Sequence, residues 1–476
     1  MIAPAVALLA VALAGAPEPA RGAEVSSRSV EVPGWGGLPV WVPAGPPASA
    51  VVLLEDGPDA DGPGMARELA VRGALVVEID AARHLRSGRS KRCVYLAGDL
   101  ESIAQHVEKV LAMPEYLRPA LVGHGLGASA AWVAVAAAPA GTFRGAVLAG
   151  LCPARPLPAT LCKVGGGAPS AVSGGEIVPP GRASAPVQVL AGSADERCPP
   201  AAARAFAEAV PGARYAEVPG AGWRLDPARW AGPVGDAVDG MEPERPAAGG
   251  GPTAGEGKAA LDGKADGVDA SVEDLPVVEV AARGPGHRMA VLLTGDGGWV
   301  GLDKGLSAAL AADGVPVAGL DSLKFFWKKR TPEETAQAVA RIVRHYRAAW
   351  NRDEVLLVGY SRGADVLSFL PPRLPPDVRP AVKLVAMLGP GTYAEFEVHV
   401  VDIFASLKRK ASSSTERAVL ALGGLPTLCV QGADEEDTLC PAIEKLPGVK
   451  RVVLPGGHHF DRDYPKLARL VLDAAP

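Results

Sequence analysis

Basic residues are not in excess in this chain. Its 48 Lys and Arg stand against 53 Asp and Glu, a formal net charge of −5 at pH 7. A protein built mainly to bind nucleic acid needs a positive footprint, so that class is disfavoured. Long apolar runs are absent beyond the N-terminus, which excludes internal membrane-spanning helices. No Cys-x-x-Cys spacing occurs, which argues against a zinc ribbon or a thioredoxin-type site. No metal site and no cofactor is expected. The 57 glycines and 45 prolines follow no Gly-X-Y period, so a collagen-like fibre is out. What is present is ordinary globular usage, 48% hydrophobic and 21% charged residues, over a 476-residue length that implies two or three domains.

The N-terminus reads MIAPAVALLAVALAGAPEPARGAE. Its apolar stretch from Ile2 to Ala16 suits a secretory core better than a spanning helix, being too short to cross a bilayer. A signal peptide is expected over residues 1–23. All six cysteines lie beyond it, as export to an oxidising compartment favours. The short loop between Cys429 and Cys440 suits one disulfide. The simplest pairing of the other four joins Cys152 to Cys162 and Cys93 to Cys198.

Between about Asp239 and Asp274 the chain becomes rich in Gly and Pro and loses apolar periodicity. It reads as a flexible linker over 240–275, between domains at 24–239 and 276–476. The two domains repeat one another. Each opens with an apolar strand and a Gly-rich turn, AVVLLEDGPDADG from Ala50 and AVLLTGDGGWVG from Ala290. Each later places a strand before a tight turn and a helix, PALVGHGLGASAAWVAV against VLLVGYSRGADVLSFL. Then come VQVLAGSADERCPP against TLCVQGADEEDTLCP, and YAEVPGAGWRLD against VVLPGGHHFDRD. Continuously apolar strands alternating with helices predict parallel sheets covered on both faces. The order of elements predicts an α/β class: two tandem α/β-hydrolase-like domains with mostly parallel sheets.

The second repeat carries Gly359-Tyr360-Ser361-Arg362-Gly363, a G-x-S-x-G nucleophile elbow whose glycines permit a sharp strand-to-helix turn. Ser361 is the candidate nucleophile. The acid belongs in the loop Asp434-Glu435-Glu436-Asp437, and anchoring both repeats on Cys-Pro sets Asp437 opposite Asp195. Asp437 is therefore favoured, with Asp434 second. The base belongs at His458 or His459, and aligning the repeats on Pro-Gly favours His458. Adjacent histidines do not readily share one metal, and no third ligand is evident. Oxyanion donors are expected from the Arg362 N–H and from the Asp296-Gly297-Gly298 turn. Asp365, Trp299 and Lys324 are candidate substrate contacts. The mixed run Lys324 to Arg330, three aromatics among four cations, suits contact with an anionic headgroup at an interface.

The first repeat lacks these groups. Gly125 stands where Ser is needed, and Gly222 and Trp223 replace the histidines, while Asp195 remains. An acid alone cannot carry acyl transfer. His124 reads as a packing residue.

The set LLTGDGGW, LDSLKFFWKKRTPEE, VGYSRGADVLSF, LCP and GGHHFDRDY resembles the VirJ domain of the bacterial AcvB/VirJ virulence-protein family. The layout, a degenerate domain followed by a VirJ-like one, resembles the longer AcvB proteins. The resemblance implies a periplasmic serine hydrolase that releases lysine from lysyl-phosphatidylglycerol. It also implies roles in membrane-lipid homeostasis and acid tolerance, and secretion-system proteins as further partners. No nucleic acid is implied. An esterase of another acyl substrate and a non-catalytic adaptor are the alternatives.

Overall fold

A computed structural model describes residues 24–57, 62–86, 94–158, 160–161, 172–173, 176–177, 183–241, 270–397 and 413–476. The expected signal peptide and most of the expected linker lie outside them.

The first half builds an eight-stranded sheet from β1 (Ser26–Val32), β2 (Gly36–Val42), β3 (Ser49–Glu55), β4 (Ala74–Asp80), β5 (Pro119–His124), β6 (Gly145–Ala149), β7 (Val187–Gly192) and β8 (Arg214–Val218). Their order across the sheet is β1-β2-β4-β3-β5-β6-β7-β8. The second half builds seven strands: β9 (Val277–Val280), β10 (Arg288–Leu293), β11 (Val317–Leu320), β12 (Glu354–Tyr360), β13 (Val382–Leu388), β14 (Thr427–Gly432) and β15 (Val449–Leu454). Their order is β9-β11-β10-β12-β13-β14-β15. Removing β1 from the first sheet leaves the same permutation. Within these two sheets antiparallel pairing is confined to the β1/β2, β2/β4 and β9/β11 edges, and the other pairs are parallel. Both halves therefore have the α/β-hydrolase arrangement expected from the repeat.

The central strands are buried on both faces because helices cover both, which is why they read as unbroken apolar runs. In β12 every residue after Glu354 is buried. The helix Pro332–Trp350 begins as its sequence predicts. Thr331 Oγ1 accepts from the Glu334 N–H at 3.1 Å while the Glu334 carboxylate accepts from the Thr331 N–H at 2.7 Å. That reciprocal bonding satisfies two helix-terminal donors. The helix ends at Asn351, which takes a left-handed conformation with φ 52°. Among the described residues no helix is long and apolar enough to cross a membrane.

Among the described residues two disulfides are formed, one between the loops after β6 and β7 and one between β14 and the short helix Cys440–Ile443. Cys429 pairs with Cys440, as the spacing suggested. Cys152, however, pairs with Cys198 rather than Cys162. The chain leaving β6 runs beside the chain leaving β7, since these strands are neighbours, and that brings the two thiols together across 46 residues. The expected Cys93–Cys198 pairing is thereby excluded, and Cys93 and Cys162 lie outside the described residues.

Candidate active site

β12 ends in the buried Tyr360, and Ser361 follows with φ 51° and ψ −120°. A side chain held at positive φ is strained by roughly 1–3 kcal/mol. The geometry lifts the hydroxyl off the sheet edge and starts the helix Arg362–Leu367 immediately after it. Close packing enforces the turn. A Cβ at Gly359 would lie 2.5 Å from the Gly363 oxygen, and one at Gly363 would lie 2.1 Å from the Leu293 oxygen. Both glycines of the motif are required by space.

His458 follows β15. Its Nδ1 lies 2.5 Å from Glu435 Oε1, and the other carboxylate oxygen of Glu435 accepts the Gly432 N–H at 2.5 Å. The imidazole sits beside the elbow, its ring 5.2 Å from that of Tyr360. Burial alone would push Glu435 up, but the bonds from His458 and the Gly432 N–H outweigh it and hold the carboxyl below its ordinary range. Burial alone would push His458 down. The bond and charge of Glu435 outweigh that, with help from Asp296 and Asp365, and hold the imidazole above its ordinary range. His459 turns the other way: its Nδ1 lies 2.9 Å from the Tyr360 hydroxyl.

The acid position thus differs from expectation. Asp437 and Asp434 are exposed, and Glu435 occupies the place beside His458. The repeat explains why. The Asp195 N–H donates to Gly192 O at the end of β7, as the Glu435 N–H donates to Gly432 O at the end of β14. The Ala194 N–H donates to Ala221 O, as that of Asp434 donates to Gly456 O. By strand ends, Asp195 therefore faces Glu435 and Trp223 faces His458. Two extra residues before Cys440 put the Cys-Pro anchor out of step. A signal was available in the distance from the strand-terminal glycines, Gly192 and Gly432.

The turn after β10 lies against the nucleophile, since a Cβ at Gly295 would stand 3.5 Å from the Ser361 Cβ. Within it the Gly298 N–H is taken by Gly295 O at 3.1 Å, which leaves Asp296 and Gly297, with Arg362, as the candidate oxyanion donors. The Arg362 side chain is turned away from the helix axis to donate to the Glu395 and Glu397 carbonyls at 3.3 and 2.9 Å.

The expected substrate contacts fare unevenly. Asp365 accepts the Gly391 N–H at 2.6 Å, so one of its oxygens holds the turn after β13. Burial pushes its carboxyl up to about 7, opposed by the Gly391 bond, Arg362 and His458 and assisted by Asp296. Trp299 is a core residue and not a substrate contact: it is 6% exposed and lies over Gly319 of β11, where a Cβ would meet its ring at 1.9 Å. Lys324 is exposed, but Phe325, Phe326 and Trp327 are buried, so the basic run offers cations outward without its aromatics. Among the described residues no group of three or more His, Cys, Asp and Glu side chains is placed to hold a metal ion.

A serine on a strained elbow, with a histidine and its hydrogen-bonded carboxylate at the end of the same sheet, supplies the residue types that serine-hydrolase chemistry uses. Residues 287–476 match the family described as VirJ, bacterial virulence protein. None of the curated proteins matches the chain. Among solved structures, Est1E from Butyrivibrio proteoclasticus is 14% identical over 41% of this chain and 91% of its own, with a TM-score of 0.31. The esterase domain of a Rhodothermus marinus protein is 15% identical over 45% and 96%, with a TM-score of 0.31. XC6422 from Xanthomonas campestris, described as a serine hydrolase without a lid, is 18% identical over 46% and 97%, with a TM-score of 0.30. Likeness at this level carries no assignment of activity.

Proposed function

The C-terminal domain is VirJ-like over residues 287–476, and from that premise we propose that the protein is an exported serine esterase that releases lysine from lysyl-phosphatidylglycerol. The observation that carries the esterase chemistry is the Glu435–His458 pair beside the Ser361 elbow. The substrate comes from the family resemblance.

In this reading Ser361 Oγ attacks the lysyl carbonyl carbon while His458 accepts the hydroxyl proton, and Glu435 stabilises the imidazolium so formed. The carbonyl oxygen becomes an oxyanion held by the Arg362 N–H and a donor from Asp296 or Gly297. Collapse breaks the ester bond, and His458 returns its proton to the departing glycerol oxygen. Water, deprotonated by the same imidazole, then cleaves the lysyl-serine ester and frees lysine. Asp296 beside the elbow supplies negative charge where a cationic acyl group would sit, and the exposed Lys324, Lys328 and Lys329 suit the lipid phosphate. The two disulfides among the described residues support an oxidising compartment such as the periplasm.

Purified full-length protein mixed with lysyl-phosphatidylglycerol should release lysine, and Ser361 should react with a fluorophosphonate. Labelling of Ser361 without lysine release would replace this substrate with another ester. Absence of both would favour a binding adaptor.

A further inference from the structure

The N-terminal domain reaches the back of the oxyanion turn. The segment between the helix Leu96–Val110 and β5 lies against the C-terminal domain. Tyr116 is 5% exposed and is packed into an apolar core otherwise made of C-terminal residues, its ring 5.4 Å from that of Trp327. The Trp327 indole N–H donates to Met113 O at 2.9 Å, and Lys109 Nζ donates to Trp327 O while lying over the indole face at 4.5 Å. A second contact comes from residues 139–141. Pro139 meets Gly301, and Lys304 Nζ donates to Ala140 O at 3.4 Å.

Between these contacts sits a buried ion pair. Arg118 Nη2 lies 3.8 Å from Asp321 Oδ2, with side-chain exposures of 9% and 4%. Asp321 follows β11 and caps the short helix after it through the Lys324 N–H at 3.2 Å. Its carboxylate also fills the space under the turn. Gly298 has φ 72°, and a Cβ there would lie 2.6 Å from Asp321 Oδ1. The same turn meets Ser361 through Gly295. A continuous path of contacts therefore runs from Arg118 through Asp321 and Gly298 to the nucleophile. Glu101 marks how near the first domain comes: burial and then the charge of Asp296 push its carboxyl up to about 8, against the pull of Arg118.

We propose that the N-terminal domain is a positioning part of the active site, in which Arg118 fixes Asp321 and thereby holds the Gly295–Gly298 turn in its oxyanion-binding shape. This rests on Ser361 being the nucleophile. Arg118 touches no reacting atom, so its effect belongs to the transition state rather than to binding. Oxyanion donors matter steeply with position: loss of one costs about 100- to 1,000-fold in rate, and a misplacement of about 1 Å about 100-fold. A turn released on one side should lose a fraction of that.

The test uses the full-length protein with a small chromogenic ester, which does not depend on the lysyl substrate, together with hydrogen exchange across residues 294–301. Arg118→Ala should lower kcat about 10-fold at unchanged KM and speed exchange in the turn, while β12 keeps its protection. Arg118→Lys should recover part of kcat. Asp321→Asn, made on the other side of the boundary, should reproduce both effects if Arg118→Ala does not fold. A raised KM at unchanged kcat, or unchanged exchange in the turn, overturns the proposal. A wild type that neither hydrolyses the ester nor labels at Ser361 overturns the esterase reading instead. Exchange then still decides whether Arg118 holds the turn.

Discussion

The two halves keep the same elbow and differ in what stands on it. Gly125 has φ 56° and ψ −115°, against 51° and −120° for Ser361. Backbone geometry has been retained where the nucleophile is missing. Trp223 takes the place of His458 and turns into the vacated space: a Cβ on Gly125 would lie 2.5 Å from its ring and 2.7 Å from Asp56 Oδ2. Arg155 and Arg197 flank that ring at 6.0 and 5.3 Å. Arg155 also pairs with Asp56. His124, the counterpart of Tyr360, is fully buried and bonds through Nε2 to Trp223 O at 2.6 Å. Burial pushes it below its ordinary range against that bond, so it stands as a neutral packing group. The N-terminal site is filled. An elbow is thus a folding feature of the strand-helix junction, and the chemistry is a separate addition to it.

The largest expected effect tests whether all chemistry lies on one side of this comparison. Ser361→Ala should lower ester turnover by about four orders of magnitude or more, since nucleophile and base act as a unit. Residual turnover above that floor in a preparation free of host esterases would mean the filled site is active.

The next separates the two acid assignments. Glu435→Ala should cost about 100- to 10,000-fold in kcat, whereas Asp437→Asn and Asp434→Asn should stay within about twofold because both side chains are exposed and off the histidine. The reverse ranking in steady-state kinetics would restore the Cys-Pro alignment.

A pH profile sharpens the same point. The base must be neutral to accept a proton, so kcat/KM should rise as pH climbs through the elevated His458 value. Glu435→Gln removes the charge that favours imidazolium, so the acid limb should move to lower pH even as the rate falls. A limb that stays in place would detach Glu435 from His458.

The smallest effect is on stability. Gly125→Ser should lower stability by about 1–3 kcal/mol through the clash with Trp223, read as a fall in Tm. It should leave the N-terminal half unlabelled by a fluorophosphonate. A labelled Ser at that position would show that Trp223 does not close the site.

Much of this was legible in the sequence because it is local or repeated. Apolar strands, the Gly359–Gly363 turn and the Thr331–Glu334 cap all announce themselves within a few residues, and so does the His458–His459 pair, although aligning the repeats on Pro-Gly sets it one residue out of the strand-end register. Glu435 did not, because a two-residue length difference before Cys440 shifts the apparent partner of Asp195, and only backbone hydrogen bonds at the strand ends fix the register. Cys152 meets Cys198 because β6 and β7 are neighbours, which is a fact of strand order rather than of spacing. Trp299 and Trp327 looked available to a ligand because aromatic residues beside charges read alike whether they face solvent, their own core as Trp299 does, or another domain as Trp327 does. The contact at Tyr116 carries no sequence signal, since one aromatic residue on a connecting segment serves a domain boundary as readily as a core.

The positive-φ elbow also bears on how stability and function trade against one another. A glycine there carries no side-chain strain, whereas a serine does, so Gly125 leaves the first domain relaxed at the point where Ser361 loads the second. Losing the nucleophile is then energetically downhill, and keeping it is a standing expense of catalysis. In those terms the first domain is the same fold relieved of its working tension, free to serve as a rigid support.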